Sequence, residues 1–520
     1  MDSNVCVLGA GLSGLCTVKE LKEVGLNVTC FEKSNGFGGA LSKSSSSGKT
    51  YGSMLLTVSN YFMAYSALPV TSSEGRRYWT PHEYEMYLEK YVSTFSLAEN
   101  IHYGMTVINV ERREGGEGYV VTVKNLSGEV SQQYFHAVVV CTGTNRVPNQ
   151  VCFPGQDKFK GEIIHTSQYQ KLESLKGKRV VCIGGGESGV DIAHEVSAFA
   201  KSTSLITRDW PSVVARWINQ YTNDAFTSRA FNELGVEFAN SFMRFKAKWN
   251  LTFNNKLSKK ERIYFQYVLN SPKFFNRFLT KNDTFIDDVA AGKLTHVVSE
   301  IETMEEDGLR LADGSFVEAD IVIQNTGYAE DFSFINTISQ FDSVRELYKH
   351  MIDPKIGPTL SFIGWARPAQ GGVPACSEMQ ARYLAQLLVG NVSLPEHSEL
   401  TRLIRVDREL EESMFSQSRQ LKGLLNYHQF MHSMAELIGC SPKVKWYLEP
   451  ELAYKMWFGS HLANFYRISG VGATPSESKY IIRKLPVASS FERTLVVSFL
   501  LAAARVSRLF SKNNNQTLAN

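Results

Sequence analysis

Two glycine fingerprints, each directly after a short apolar strand, and two matching strand ends in Thr-Gly predict an α/β fold. It has two Rossmann-like dinucleotide-binding domains, the second inserted in the first, plus a helical C-terminal region. The first fingerprint is Val5-Cys-Val-Leu-Gly9-Ala-Gly11-Leu-Ser13-Gly14, and the second is Val180-Val-Cys-Ile-Gly184-Gly-Gly186-Glu-Ser188-Gly189. Either alone is a weak signal, because G-x-G-x-x-G arises easily by chance. Both open into helix-like sequence, over 15–22 and 190–199, so each is the start of a βαβ unit with a helix N-terminus free to hold phosphate.

Taken in order, residues 1–150 read as the first nucleotide domain. Its second strand, Val28 to Phe31, runs into Glu32, a carboxylate able to accept hydrogen bonds from a ribose diol. The unit closes on Ala137-Val-Val-Val-Cys141 followed by Thr142-Gly143. Residues 151–329 read as the second domain, with an insertion over about 210–290. Here the corresponding strand, Leu205 to Thr207, leads to Arg208, and a cation in place of the acid can hold a 2′-phosphate. Asp320 to Thr326-Gly327-Tyr328 closes it. Residues 330–400 return to the first domain, with a strand at Leu360 to Gly364 and an amphipathic helix from Glu378. Residues 400–520 are helical and aromatic. The acid after one fingerprint and the cation after the other assign FAD to the first site and NADPH to the second.

Composition agrees with a redox enzyme of this build. At 520 residues and 43% hydrophobic, the chain can bury two or three domain cores. A net charge of +3 and the lack of a long basic tail exclude a nucleic-acid role. The eight cysteines form no C-x-x-C or C-x4-C, which argues against zinc sites and redox dithiols and for a reducing compartment. Because the first strand begins almost at the initiator methionine, no signal or transit peptide is expected.

Between the domains lies Phe159-Lys-Gly161-Glu-Ile-Ile-His165-Thr-Ser-Gln-Tyr169. This matches F-x-G-x3-H-x3-Y, the identifying sequence of flavin-containing monooxygenases. The resemblance extends to Pro148-Asn149, Phe153-Pro-Gly155, Asn325-Thr-Gly-Tyr328 and the helical segment 427–470, so it covers nearly the whole chain and fits the animal-type branch best. It implies that NADPH reduces FAD, and that the reduced flavin takes up molecular oxygen as a C4a-hydroperoxide. The distal oxygen then passes to a small soft nucleophile, an amine nitrogen or a sulfur. The flavin carries the difficult chemistry while the protein keeps water away. Baeyer–Villiger relatives carry Trp where this chain has Tyr169, which favours heteroatom oxygenation.

On these motifs the FAD-binding residues are Gly9, Gly11, Ser13, Gly14, Glu32, Lys33, Gly39, Val107, Thr142, Gly143 and Gln380. Those for NADPH are Tyr169, Gly184, Gly186, Ser188, Gly189, Thr207, Arg208, Thr326 and Gly327, with Arg216 as a weaker addition. His165 reads as a structural hydrogen-bonding histidine. One departure bears on catalysis. Animal-type members usually have T-N-x-S-K-E-M beside the flavin, and counting back from Met63 places Val58 at the Asn position. Valine cannot donate a hydrogen bond, so Asn60 or Thr57 is expected to substitute; otherwise the enzyme leaks hydrogen peroxide.

No stretch approaches the ~20 apolar residues of a transmembrane helix. The tail 493–510 has helical apolar spacing with arginines beside it and looks like a shortened interfacial anchor; the aromatic and lysine-rich segment 243–279 would also suit a lipid surface, but reads first as helices packed on the protein with a solvated basic face. Peripheral membrane contact, and a place in the cytoplasm or on the cytoplasmic face of the endoplasmic reticulum, follow from that reading. A heteroatom monooxygenase, an uncoupled NADPH oxidase, a Baeyer–Villiger enzyme and a non-catalytic NADP(H) sensor are the alternatives. Substrate identity and oligomeric state stay open.

Overall fold

The computed structural model describes residues 4–42, 48–169, 173–271, 273–336, 343–418, 423–488, 497–499 and 501. Ten strands build two parallel sheets: β1 (Asn4–Leu8), β2 (Asn27–Phe31), β3 (Ile101–His102), β4 (Ala137–Val140), β5 (Glu162–His165), β6 (Arg179–Ile183), β7 (Ser202–Thr207), β8 (Thr295–Val298), β9 (Ile321–Gln324) and β10 (Leu360–Phe362). The first sheet has the order β10-β4-β1-β2-β3 and the second β8-β7-β6-β9-β5. Each is centred on the strand that leads into a glycine loop.

The central strands are apolar on both faces, as a sheet covered on both sides requires. In β1, Val5 and Val7 enter one core with Leu15 and Val18, while Cys6 and Leu8 enter another with Val121, Phe135 and Trp365. The pattern repeats in β6, where Val180 and Cys182 pack with Val190 and Ile192, and Val181 and Ile183 pack with Met304 and Leu309. Register pairs Val5 with both Val28 and Ala137, and Val181 with both Ser204 and Val322. Each side chain so enclosed contributes roughly 1.5–3 kcal/mol.

Four helices position the rest: α1 (Leu12–Glu23), α2 (Glu187–Ser197), α3 (Val236–Phe253) and α4 (Val373–Leu388). Helix α4 packs against α1 and is buried almost throughout. Between them lies an ionic cluster. Arg467 reaches Glu20 at 2.8 Å and Glu378 at 3.3 Å, and Lys19 sits 3.0 Å from Glu20. The Glu378 carboxylate also accepts from the Ser66 backbone N–H and hydroxyl. Further helices at His397–Met414, Tyr427–Ile438, Pro450–Phe458 and Pro475–Lys484 make the C-terminal part helical.

Helix α3 turns Phe242, Phe245, Trp249 and Phe253 outward beside Lys246 and Lys248, so this aromatic face is solvated rather than packed. The tail read as an interfacial anchor lies outside the described residues except 497–499 and 501, of which Val497 and Leu501 pack with Leu234 and Trp457. Among the described residues no helix is long and apolar enough to cross a membrane, and all eight cysteines are free.

Candidate active site

Both glycine loops open into one cavity of about 1990 Å³. At the first, Gly9 turns with φ +101°, and a Cβ there would lie 2.9 Å from the Cys141 carbonyl oxygen. Gly14 is pressed closer still, its missing Cβ only 1.8 Å from the Gly9 carbonyl oxygen. The second loop repeats this: Gly184 has φ +105°, and a Cβ on Gly189 would lie 2.0 Å from the Gly184 carbonyl oxygen. Only glycine lets helix and loop approach so closely.

Helices α1 and α2 start at Gly11 and Gly186, neither with a side-chain cap, and a Cβ on Gly186 would meet nothing within 4 Å. Their first N–H groups therefore have no side-chain acceptor and carry the positive end of the helix dipole toward the cavity. Uncapped amides, absent Cβ atoms and an open approach are the fit a dinucleotide pyrophosphate requires at each loop.

Glu32 follows β2 at the cavity wall. Its Oε2 accepts from the Ala10 N–H and its Oε1 from the Ser34 N–H, both at 2.8 Å, which fixes the carboxylate beside the first loop with lone pairs to spare. Arg208 leaves the end of β7 exposed on the same cavity. The Thr207 hydroxyl is 2.8 Å from His296 Nε2, whose pKa burial lowers to about 4. The His165 Nδ1 accepts from the Ser167 N–H, so its Nε2 carries the proton and donates to the Gly327 carbonyl at 3.0 Å. Burial lowers its pKa as well. It is a neutral strut between the two strand ends.

Of the expected FAD residues, Gly9, Gly11, Ser13, Glu32 and Lys33 line the cavity, with Gly39, Val107, Thr142 and Gly143. Gly14 lies beneath the loop as described. Gln380 does not reach the cavity; wholly buried in α4, it donates to the Lys349 carbonyl and faces the Gly364 N–H. Of the NADPH set, Gly184, Gly186, Ser188 and Gly189 line it, with Thr207, Arg208, Thr326 and Gly327. Tyr169 does not: it packs in the core of the second sheet, where burial, with the Glu195 carboxylate nearby, pushes its hydroxyl pKa well up. Arg216 is a buried partner of Asp191 at 2.9 Å rather than a lining residue.

Thr57 and Val58 face the cavity, Val58 only 4% exposed. Asn60 cannot substitute for the missing amide. Its side chain is spent on the Gly75 carbonyl and the Arg77 N–H, because residue 60 opens the short helix Asn60–Met63 and is turned inward.

Apart from Arg216, sequence reasoning missed two groups. Asp191 gathers Arg216, Asn282 and the Tyr51 hydroxyl at the cavity wall. Arg367, Phe278, Lys281 and Glu187 meet on another wall. The only signal for the first was an acid two residues beyond Gly189; the second had none. Among the described residues no cluster of His, Cys, Asp or Glu could hold a metal ion.

Comparison with known proteins matches this geometry. The profile of the flavin-binding monooxygenase-like family matches residues 2–498. A 4-hydroxybenzoate brominase (decarboxylating) of Pseudoalteromonas luteoviolacea is 34% identical, over 98% of each chain. Flavin-containing monooxygenase 5 of Cavia porcellus is 31% identical over 92% of this chain and 91% of its own. Among solved structures, S-allyl-L-cysteine S-oxygenase from Allium sativum superposes with a TM-score of 0.60 at 22% identity, covering 98% of both chains.

Proposed function

From the premise that the chain belongs to the flavin-binding monooxygenase-like family, we propose that this FAD- and NADPH-dependent monooxygenase places one oxygen atom on a small soft nucleophile, an amine nitrogen or a sulfur. The observation that carries the reading is the shared cavity: two uncapped helix starts open into one space, which would hold both cofactors within one pocket. When bound, the flavin supplies the reduction of oxygen and the delivery of one of its atoms.

The chain's own residues bind, orient and exclude water. Gly9, Gly11 and Gly14 admit the FAD pyrophosphate, and Glu32 takes the adenosine ribose. Gly184, Gly186 and Gly189 do the same for NADPH, with Arg208 on its 2′-phosphate. Apolar Met54, Leu55 and Trp365 line the wall. They favour a transferable oxygen over early loss of peroxide by keeping water out. A wall of this kind needs no acid–base pair, and a polarizable nucleophile suits it better than a hard one.

The test is stopped-flow spectroscopy of the purified holoenzyme. NADPH should bleach the flavin, and oxygen with NADP+ present should give a transient band distinct from both end states. N-oxide or sulfoxide should then form in proportion to NADPH consumed. Failure to bleach the flavin, or peroxide matching NADPH with every acceptor, sinks the reading.

A second reading takes a halide as the soft nucleophile. It is favoured by the Pseudoalteromonas relative, named for bromination and alike over the whole chain. Bromide-dependent product on a phenol, with no N-oxide or sulfoxide from amine or thioether, would replace the first reading by the second.

A further inference from the structure

The wall shared by Arg367 and Phe278 is assembled from both halves of the cavity. Arg367 follows β10, whose end is fixed against α1: a Cβ on Gly364 would lie 2.4 Å from the Ser13 hydroxyl. Its own N–H donates to the Gly423 carbonyl at 3.0 Å, so the backbone is held. From there the half-buried side chain reaches toward the second loop, its guanidinium 4.8 Å from the centre of the Phe278 ring.

Lys281 approaches the same ring at 5.2 Å, yet its charge is already answered, its Nζ lying 3.6 Å from Glu187 Oε1 at the start of α2. Among the described residues the Arg367 guanidinium has no hydrogen-bond or ion-pair partner. Glu187 is the acid that faces it, and that carboxylate lies beyond ion-pair distance. Burial lowers the Arg367 pKa without removing the charge.

A guanidinium held on a cavity wall with no bonded partner keeps all its donors for an incoming anion. The planar fork of a guanidinium matches a carboxylate through two parallel hydrogen bonds, and a ring beside it suits an aromatic body. We propose that Arg367 anchors the carboxylate of the oxygen acceptor, so that the substrate is a small aromatic acid. The proposal rests on the monooxygenase reading for calling that acid a substrate.

A matched pair of probes tests it: 4-(methylthio)benzoate and its neutral amide, identical at sulfur and ring. Binding is followed by the change in flavin absorbance of the oxidised holoenzyme with NADP+ present. The wild type should bind the acid at least tenfold more tightly than the amide. Arg367→Gln should bring the two to equality, and Arg367→Lys should keep part of the preference, because a lysine retains charge without the fork. Equal affinities in the wild type, or a preference that survives Arg367→Gln, would overturn the proposal. So would a loss of NADP+ affinity in Arg367→Gln as large as that for the acid, which would give the guanidinium to the cofactor. Bleaching of the wild-type flavin by NADPH is recorded separately. Acid binding through Arg367 without bleaching would sink the monooxygenase reading and leave the anchor intact.

Discussion

Replacing Gly189 with alanine separates two jobs that a glycine in a nucleotide loop can hold. The new methyl carbon would stand 2.0 Å from the Gly184 carbonyl oxygen and 3.1 Å from the Asn325 Cβ. Real Cβ contacts essentially never fall below 3.0 Å, so α2 and the loop must part by at least about 1 Å in a close-packed interior. Overpacking of this kind costs about 1–3 kcal/mol. Spread over a unit of 150–250 residues, that lowers Tm by about 2–4 °C per kcal/mol. If the strain is relieved through the loop, NADPH binding weakens by roughly 5- to 150-fold at 1.4 kcal/mol per decade. Gly186→Ala is the control: φ there is −72° and its Cβ would touch nothing, so Tm should stay while the methyl obstructs the incoming phosphate. The assays are thermal unfolding and the NADPH dependence of flavin bleaching, with FAD content as a check that the first loop is intact. A Gly189→Ala protein with wild-type Tm, or a Gly186→Ala protein with wild-type NADPH affinity, would refute the reasoning.

Val58→Asn returns an amide to the cavity wall, and one hydrogen bond of about 1 kcal/mol should cut the peroxide released per NADPH about fivefold; an unchanged yield in FAD-replete protein counts against a role for this position. His296 has its pKa lowered from 6.5 to about 4 in the folded state, so the unfolded chain takes up the proton first. Stability is therefore full above pH 6.5 and falls as pH drops toward 4, by about 2 kcal/mol at pH 5. His296→Gln should flatten the Tm-versus-pH curve between pH 7 and 5, and a slope equal to that of the wild type would contradict this account. Arg467→Met leaves Glu378 buried without its cation and Glu20 with Lys19 alone, and should cost about 3–5 kcal/mol. It should be purified with less FAD, and full retention with unchanged Tm would mean that Lys19 and Ser66 suffice.

What could be read in the sequence were features whose meaning is local. The two glycine loops, Glu32 and Arg208 follow from spacing along a single βαβ unit, and the structure puts all of them on one cavity. Tyr169, Gln380 and Asn60 belong to motifs just as clear, but where their side chains point is decided by packing. Tyr169 turns into the core, Gln380 is claimed by the Lys349 carbonyl, and Asn60 is claimed by residues 75 and 77. Arg367 was invisible for the opposite reason. Nothing beside it in sequence is informative, and its character comes from Phe278, Lys281 and Glu187, which only the fold brings near.

The order of strands has a consequence for how the chain is made. The second sheet uses residues 162–324, a contiguous stretch that can close soon after it leaves the ribosome. The first cannot. Its edge strand β10 arrives only with residue 360, its covering helix α4 after 373, and the cation for Glu378 with residue 467. During synthesis the earliest-made half must therefore wait, with unpaired strand edges and apolar faces open to other chains, while the later-made half completes itself. Yield in a cell should thus respond to chaperone supply and to free FAD far more than to the stability of the finished protein, and any truncation before residue 467 should be recovered as aggregate rather than as a smaller flavoprotein.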